Sequence, residues 1–86
     1  MNYNLVYTRR AEKDLKKLDS SIKGRIGNAL LKLQDNPLLY SEKLSDPALG
    51  TYKFRIGDYR VIFDIEGTDV VILRVGHRRE IYKRFR

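Results

Sequence analysis

The chain has 86 residues, enough for one domain with a single small core. Its 18 lysines and arginines against 11 aspartates and glutamates give a formal net charge of +7, and it has no cysteine. These values exclude a disulfide framework and thiolate chemistry. They favour nucleic acid, an acidic protein, or both as partners. The ordinary alternative is a basic surface without a particular partner.

No stretch has the character of a targeting or membrane segment. The N-terminus, Met1-Asn2-Tyr3-Asn4, lacks the charged start and apolar centre of a signal peptide. No run approaches the roughly 20 apolar residues that a membrane span needs. Together with the lack of cysteine, this predicts a soluble protein of the cytoplasm with no membrane partner, and residues 1–86 are expected to form one domain.

The first half of the chain predicts a strand followed by a helical hairpin. Residues 2–7 alternate as a strand does, and Thr8 can cap a helix after it. Asp19 and the serines after it can end this helix and cap a second one, which stops before Asn36-Pro37. Apolar residues recur at helical spacing in both: Ala11, Leu15 and Leu18, then Ile22, Ile26, Ala29, Leu30 and Leu33.

The second half predicts three strands, at about 51–56, 59–66 and 69–76, after an irregular connector over residues 38–49. Gly57-Asp58 suits a two-residue turn and is a strong hairpin signal. Such a turn pairs Ile56 with Tyr59, Arg55 with Arg60 and Phe54 with Val61. Alternation then gives one apolar face and one basic face. The apolar face would begin with Tyr52, Phe54, Ile56, Tyr59, Val61, Phe63 and Ile65.

The turn before the last predicted strand decides which of its side chains are buried. A two-residue turn at Gly67-Thr68 would put Arg74 on the apolar face, and burying one unpaired charge costs several kcal/mol. A three-residue turn, or one with a glycine bulge, is therefore expected. It would bury Val71, Leu73 and Val75. The other face would carry Lys53, Arg55, Arg60, Ile62, Asp64, Val70, Ile72 and Arg74 and stay open.

These elements predict an α+β fold of two layers. An N-terminal strand and a helical hairpin pack on a mainly antiparallel twisted sheet, in the order β-α-α-β-β-β, with room for a short C-terminal helix. Arg55 directly opposite Arg60 is a like-charge pair, which destabilises a sheet unless an anion offsets it. A polyanion laid over the basic face would do so. An ion pair between Arg60 and Asp64 is the alternative.

Few other chemistries fit the sequence. It has no Walker loop, no glycine-rich dinucleotide fingerprint and no His-Glu-x-x-His motif. One histidine and no cysteine argue against a metal site, and no cofactor is expected. Cations with one histidine and one tyrosine suffice for RNA cleavage, because the ribose 2′-OH is the nucleophile and preorganised cations stabilise the developing charge.

Three segments of the chain resemble the RelE/ParE superfamily of bacterial and archaeal toxins. They are Tyr52-Lys53-Phe54-Arg55, Gly57-Asp58-Tyr59-Arg60-Val61-Ile62-Phe63 and Val75-Gly76-His77-Arg78-Arg79-Glu80-Ile81-Tyr82. The resemblance covers nearly the whole chain. It implies a ribosome-dependent mRNA endonuclease toxin of the RelE-like branch that inhibits translation. It also implies a cognate acidic, RelB-like antitoxin, and promoter DNA bound only by the toxin–antitoxin complex.

The same resemblance implies roles for particular residues. Arg60 and Arg78 would hold the scissile phosphate, while Lys53 and Arg55 would stabilise charge in the transition state. Tyr82 would be the base or a stacking platform. His77 is a competing base, since an unperturbed histidine titrates near neutral pH. RNA contacts are expected from Lys53, Arg55, Arg60, Arg74, Arg78 and Arg79.

Two other functions stay open. The ParE branch shares the fold and is associated with DNA gyrase, so the chain could be a non-enzymatic inhibitor of that enzyme. It could also be a basic nucleic-acid-binding module without catalysis. The set of cations with a tyrosine favours the nuclease branch.

Overall fold

The structure, a computed structural model, describes residues 2–45 and 50–81. Its elements are β1 Asn4–Tyr7, α1 Arg9–Lys16, α2 Ser20–Asp35, β2 Ser41–Lys43, β3 Tyr52–Ile56, β4 Tyr59–Glu66, β5 Asp69–His77 and α3 Arg78–Ile81. The strands form one sheet in the order β1-β5-β4-β3-β2. Only β1 and β5 pair in parallel within it. The predicted α+β fold is confirmed. In the part of the chain described, no helix has the length and apolar character to cross a membrane.

Both long helices begin at the predicted capping residues. The Thr8 hydroxyl accepts a hydrogen bond from the Ala11 N–H at 3.1 Å, and the Asp19 carboxylate accepts one from the Ile22 N–H at 3.0 Å. The bond from Ile22, and then the bond from the Ser21 hydroxyl, lower the pKa of Asp19. Each cap satisfies a backbone N–H that the first turn of a helix leaves unpaired.

The core lies between the helices and one face of the sheet. Phe63 and Val61 of β4 are fully buried in it, against the apolar stripe of α2. The predicted face of β3 and β4 is confirmed, since all of its residues belong to the core or pack against it. The buried members are Ala11, Ile26, Leu30, Leu33, Phe54, Val61, Phe63, Val70, Ile72 and Val75.

The predicted connector contains a strand that the sequence did not indicate. Ser41–Lys43 is β2, at the edge of the sheet, and it places Glu42 opposite Lys53 of β3. The prediction of an irregular connector is therefore wrong over these residues. Three polar residues are too few to show a strand's alternation.

The turn between β4 and β5 has two residues, so the predicted three-residue turn is wrong. Glu66 pairs with Asp69, across Gly67 and Thr68. Because the register starts one residue earlier than predicted, Val70 rather than Val71 faces the core.

The extra residue lies instead inside β5. Phe63 is opposite Ile72 but Ile62 is opposite Arg74, which leaves Leu73 as a bulge. Ile72 therefore faces the core in place of the predicted Leu73. Val75, which lies beyond the bulge, faces the core as predicted. A bulge lets the chain keep Arg74 out of the core without lengthening the turn.

The other face of the sheet is only partly open, which corrects the prediction of an open basic face. Ile62 on this face is 1% exposed. Gly50 lies against it, so closely that a Cβ on Gly50 would lie 2.6 Å from Ile62 Cγ2 and 2.9 Å from Leu73 Cδ1. The Thr51 N–H donates to Asp64 Oδ1 at 2.8 Å and holds this segment in place. The accessible part of the face is the end next to the Gly57-Asp58 turn.

Candidate nucleic-acid interface

The hairpin of β3 and β4 has the predicted register. Ile56 pairs with Tyr59 and Arg55 pairs with Arg60, across a turn of Gly57 and Asp58. Gly57 has a φ of 59°, in the left-handed region that a residue with a side chain enters at a cost. The turn therefore puts two arginines side by side on the face away from the core, where their charges repel each other.

In the part of the chain that the structure describes, five cations meet at this end of the sheet. They line a depression of about 350 Å³ made by β3, β4 and α3, namely Lys53, Arg55, Arg60, Arg78 and Arg79. This group is called the cation depression below. Among residues 2–45 and 50–81, no group of three His, Asp or Glu side chains could hold a metal ion. The four described cations predicted to act on the phosphate all lie in the cation depression, namely Lys53, Arg55, Arg60 and Arg78.

Arg60 is held by the backbone of its own turn. Its Nη1 donates to the Gly57 carbonyl and to the Tyr59 carbonyl, both at 2.8 Å. Asp64, the alternative partner, instead accepts a hydrogen bond from the Thr51 N–H. The ion pairs of the described residues do not include one between Arg60 and Asp64. The backbone bonds orient the Arg60 guanidinium without neutralising its charge.

Arg78 is held by the same turn. Its N–H donates to the Asp58 carbonyl at 2.7 Å, and its Nε lies 3.4 Å from Asp58 Oδ1. These contacts attach the first residue of α3 to the hairpin. The Gly57-Asp58 turn thus places both of the arginines that the resemblance assigns to the phosphate.

Among the described residues, two carboxylates border the cation depression, and the sequence analysis assigned neither of them to the site. Glu42 of β2 lies 3.8 Å from Lys53 Nζ and 3.6 Å from Arg55 Nη2, and Asp58 contacts Arg78. Their side chains are 58% and 67% exposed. Exposed pairs of this kind contribute about 0–1 kcal/mol each. Two such carboxylates leave a surplus of positive charge for an anionic ligand.

The structure does not bring Arg74 and His77 into this group. Arg74 Nε binds Asp14 Oδ2 of α1 at 2.8 Å. His77 packs edge-on against the Tyr59 ring, with centroids 5.4 Å apart, and its Nδ1 accepts the Arg79 N–H. Both residues line a second cavity of about 390 Å³ between α1, β5 and α3. Tyr82 lies outside the described residues.

Substituting Gly57 tests the turn that holds the two arginines. Gly57→Ala is expected to destabilise the protein by about 1–2 kcal/mol, because alanine is strained in the left-handed region. A Cβ there would lie 2.8 Å from Arg25 Nη2, the end of a flexible side chain that can move away. Urea unfolding at neutral pH measures the change.

Gly24→Ala is the matched control for this prediction. Gly24 lies within α2, and apart from its chain neighbours and the backbone of its own helix no described atom lies within 4 Å of the position that a Cβ would take. Alanine should stabilise that helix by about 0.5–1 kcal/mol. A Gly57→Ala variant that is as stable as Gly24→Ala would contradict the role given to the turn.

Comparison with known proteins identifies the family to which this chain belongs. A family model described as the ParE toxin of type II toxin–antitoxin systems matches residues 5–82. The chain therefore belongs to this toxin family, in the RelE/ParE superfamily, and its relatives place it on the RelE-like branch.

Two known toxins resemble the chain over nearly their full length. It is 39% identical over 87 residues to toxin RelG of Mycobacterium tuberculosis, covering 98% of this chain and 100% of RelG. It is 28% identical over 85 residues to toxin RelE3 of Methanocaldococcus jannaschii, covering 94% of this chain and 97% of RelE3.

Solved structures of RelE-type toxins also resemble the chain. A chain of the toxin–antitoxin complex RelBE2 from Mycobacterium tuberculosis matches with a TM-score of 0.82 and 34% identity, over 91% of this chain and 100% of that one. A mutant of Escherichia coli toxin RelE in the free state matches with a TM-score of 0.76 and 26% identity, over 95% and 92%. The predicted superfamily, branch and fold are thereby confirmed.

Proposed function

We propose that this toxin is an endoribonuclease that cleaves mRNA on the ribosome, without a metal ion, and so inhibits translation. The observation that carries the proposal is the cation depression. It collects five cations on one accessible end of the sheet, with two exposed carboxylates at its border. Such a surface fits the backbone of a nucleic acid better than an apolar or neutral ligand.

The arrangement of the cations suits cleavage of a phosphodiester by the neighbouring ribose. The 2′-oxygen, whose proton passes to a base, forms a bond to phosphorus as the bond to the 5′-oxygen breaks. The 5′-oxygen takes a proton from water, which leaves a 2′,3′-cyclic phosphate and a 5′-hydroxyl. Arg60 and Arg78, both anchored on one turn, would hold the phosphate oxygens. Lys53 and Arg55 would stabilise the charge added in the transition state, and Arg78 would also neutralise the leaving oxygen. Fixed cations of this kind are usually the largest catalytic contribution.

Tyr82, as the phenolate that neighbouring cations favour, would be the base that takes the 2′-proton. His77, the other candidate, faces Tyr59 and lines the second cavity rather than the cation depression. Its Nδ1 already accepts a hydrogen bond from the Arg79 N–H. RNA contacts are assigned to the five cations of the depression, and Arg74 is left out because it is bonded to Asp14.

The partners follow from charge and from the relatives. RelB antitoxins are bound to RelE toxins in solved complexes from Mycobacterium tuberculosis, Methanococcus jannaschii and Pyrococcus horikoshii. A cognate acidic antitoxin would be electrostatically complementary to a chain with a net charge of +7. The ribosome would present and orient mRNA in the cytoplasm, and promoter DNA would be bound by the toxin–antitoxin complex.

A cell-free translation system tests the proposal. The toxin is added to translating ribosomes, and the 5′ ends of the mRNA are mapped, with supercoiling by DNA gyrase assayed in parallel. Cuts in phase with codons inside translated frames are expected. Intact mRNA with blocked supercoiling would overturn the proposal in favour of a ParE-like inhibitor. Intact mRNA with normal supercoiling would leave a binding module without catalysis.

A further inference from the structure

One charged side chain that is buried among the described residues has no part in the proposed reaction. Asp14 on α1 is 7% exposed. Its Oδ2 accepts the Val75 N–H at 2.9 Å and the Arg74 Nε at 2.8 Å, and its Oδ1 lies 3.5 Å from Arg74 Nη2. Both partners belong to the part of β5 that directly follows the bulge at Leu73. The carboxylate therefore contacts the sheet at its one irregular point among the described pairings.

Helix α1 takes the place of a neighbouring strand along this part of β5. Strand β1 ends at Tyr7, opposite Ile72. Beyond it, the Thr8 N–H donates to the Ile72 carbonyl at 3.1 Å and the Thr8 hydroxyl donates to the Leu73 carbonyl at 3.2 Å. Asp14 then accepts the Val75 N–H. Because β1 ends at Tyr7, these backbone groups of β5 have no strand partner on that side, and Thr8 and Asp14 supply the three hydrogen bonds.

The bulge sets the register of β5 and therefore determines which residue lies beside the Gly57-Asp58 turn. With Leu73 as the extra residue, His77 lies opposite Tyr59 and Arg78 follows at Asp58. If the pairing of Phe63 with Ile72 continued without a bulge, Gly76 would lie opposite Tyr59. Arg78 would then be displaced by one residue, about 3.3 Å along the strand, and its side chain would point to the other face.

We propose that Asp14 is a positioning residue, which holds the β5 bulge and thereby places Arg78 in the cation depression. The position of Arg78 is a structural claim that stands by itself. Its effect on cleavage rests on the proposed function. Asp14 suits this role because a carboxylate can accept the backbone N–H and neutralise Arg74 together, and a buried carboxylate without a partner is strongly disfavoured.

Amide hydrogen exchange of the folded protein tests the placement of Arg78 directly. Its N–H is bonded to the Asp58 carbonyl, whereas the Leu30 N–H lies inside α2 and serves as an internal reference. Asp14→Ala is expected to speed exchange at Arg78 at least ~10-fold relative to Leu30, since it removes the acceptor that holds the bulge. Asp14→Asn keeps an oxygen for Val75 and should fold, with an increase of about 3-fold.

Glu12→Ala is the matched control, because Glu12 is an exposed acidic residue on the same helix. It should leave the exchange ratio unchanged. An unchanged ratio in the Asp14 variants would overturn the proposal, and Asp14→Asn decides the matter if Asp14→Ala does not fold. A general loss of stability would speed Leu30 as well and would also count against it.

Cleavage of mRNA on programmed ribosomes separates this inference from the proposed function. The Asp14 variants should lower the single-turnover rate about 10-fold at saturating toxin, with binding to the ribosome changed less than about 3-fold, because a misplaced group costs rate more than affinity. If the wild type does not cleave, the proposed function fails while the exchange ratio still tests the position of Arg78. Full cleavage by an Asp14 variant with fast Arg78 exchange would overturn the link between that position and catalysis.

Discussion

Replacing both Arg60 and Arg78 with alanine is expected to lower the rate of mRNA cleavage at least ~10²-fold, in line with the loss of groups that stabilise transition-state charge. Both guanidinium groups lie in the cation depression, and both are anchored on the Gly57-Asp58 turn. Alanine leaves the phosphate without these ligands, and water stabilises the developing charge less because its dipoles must be reoriented at a cost in free energy. The single-turnover rate on programmed ribosomes measures the loss.

The control for this variant removes the same charge elsewhere. Arg9 and Lys23 are exposed residues of the two long helices, away from the cation depression. Arg9→Ala combined with Lys23→Ala lowers the net charge equally, and it should change the cleavage rate less than ~5-fold because only long-range attraction is lost. Equal losses in the two double variants would mean that net charge, rather than this site, accounts for activity.

Phe63→Ala is expected to have the largest effect on stability, about 3–5 kcal/mol. Phe63 is fully buried in β4, and its ring stacks on Tyr52 with centroids 5.4 Å apart. Alanine leaves a cavity between the sheet and α2 that the packed surroundings can fill only in part. Since domains of this kind are stable by about 5–15 kcal/mol, the change removes a large share of the total. Urea unfolding with a constant m-value measures it.

Leu39→Ala is the comparison for Phe63→Ala. Leu39 is 67% exposed in the segment before β2. Its removal should change the free energy of unfolding by less than ~0.5 kcal/mol. If Phe63→Ala were no more destabilising than Leu39→Ala, the core would not lie where the structure places it.

The sequence predicted the elements whose signals are local. Thr8 and Asp19 cap the helices that follow them, and Gly57 enters the left-handed region that the two-residue turn requires. In each case the residue itself supplies the hydrogen bond or the backbone freedom, so a few neighbours decide the outcome. The register of β3 and β4, and with it the basic face, followed from the turn alone.

Predictions failed where distant parts of the chain decide the outcome. Burying an unpaired Arg74 is unfavourable, and either a longer turn or a bulge could keep its side chain out of the core. The structure has a bulge, next to which Thr8 and Asp14 bond to the backbone of β5, and those residues are about 60 positions away in the sequence. Strand β2 likewise forms only because β3 offers an edge to pair with. The residues that neighbour the bulge or β2 in the sequence do not indicate which distant part of the chain will pair with them.

The candidate site was predictable in part. Strand alternation around one turn predicts the positions of Lys53, Arg55 and Arg60. The position of Arg78, in contrast, depends on the length of β5 and on its bulge. Glu42 lies at the border of the site because it belongs to β2, a strand that the sequence did not indicate. Asp58 stands in the predicted turn, but its contact with Arg78 depends on α3.

The role of the RNA as its own nucleophile is tested by removing one oxygen atom from the substrate. An mRNA with a single 2′-deoxy nucleotide at a mapped cleavage position is translated in the presence of the toxin, beside the unmodified mRNA. Cleavage should stop at the modified position and continue at unmodified codons, where the 5′ fragment ends in a 2′,3′-cyclic phosphate. Equal cleavage at the deoxy position would mean that another nucleophile attacks the phosphate, and the catalytic role given to these cations would be contradicted.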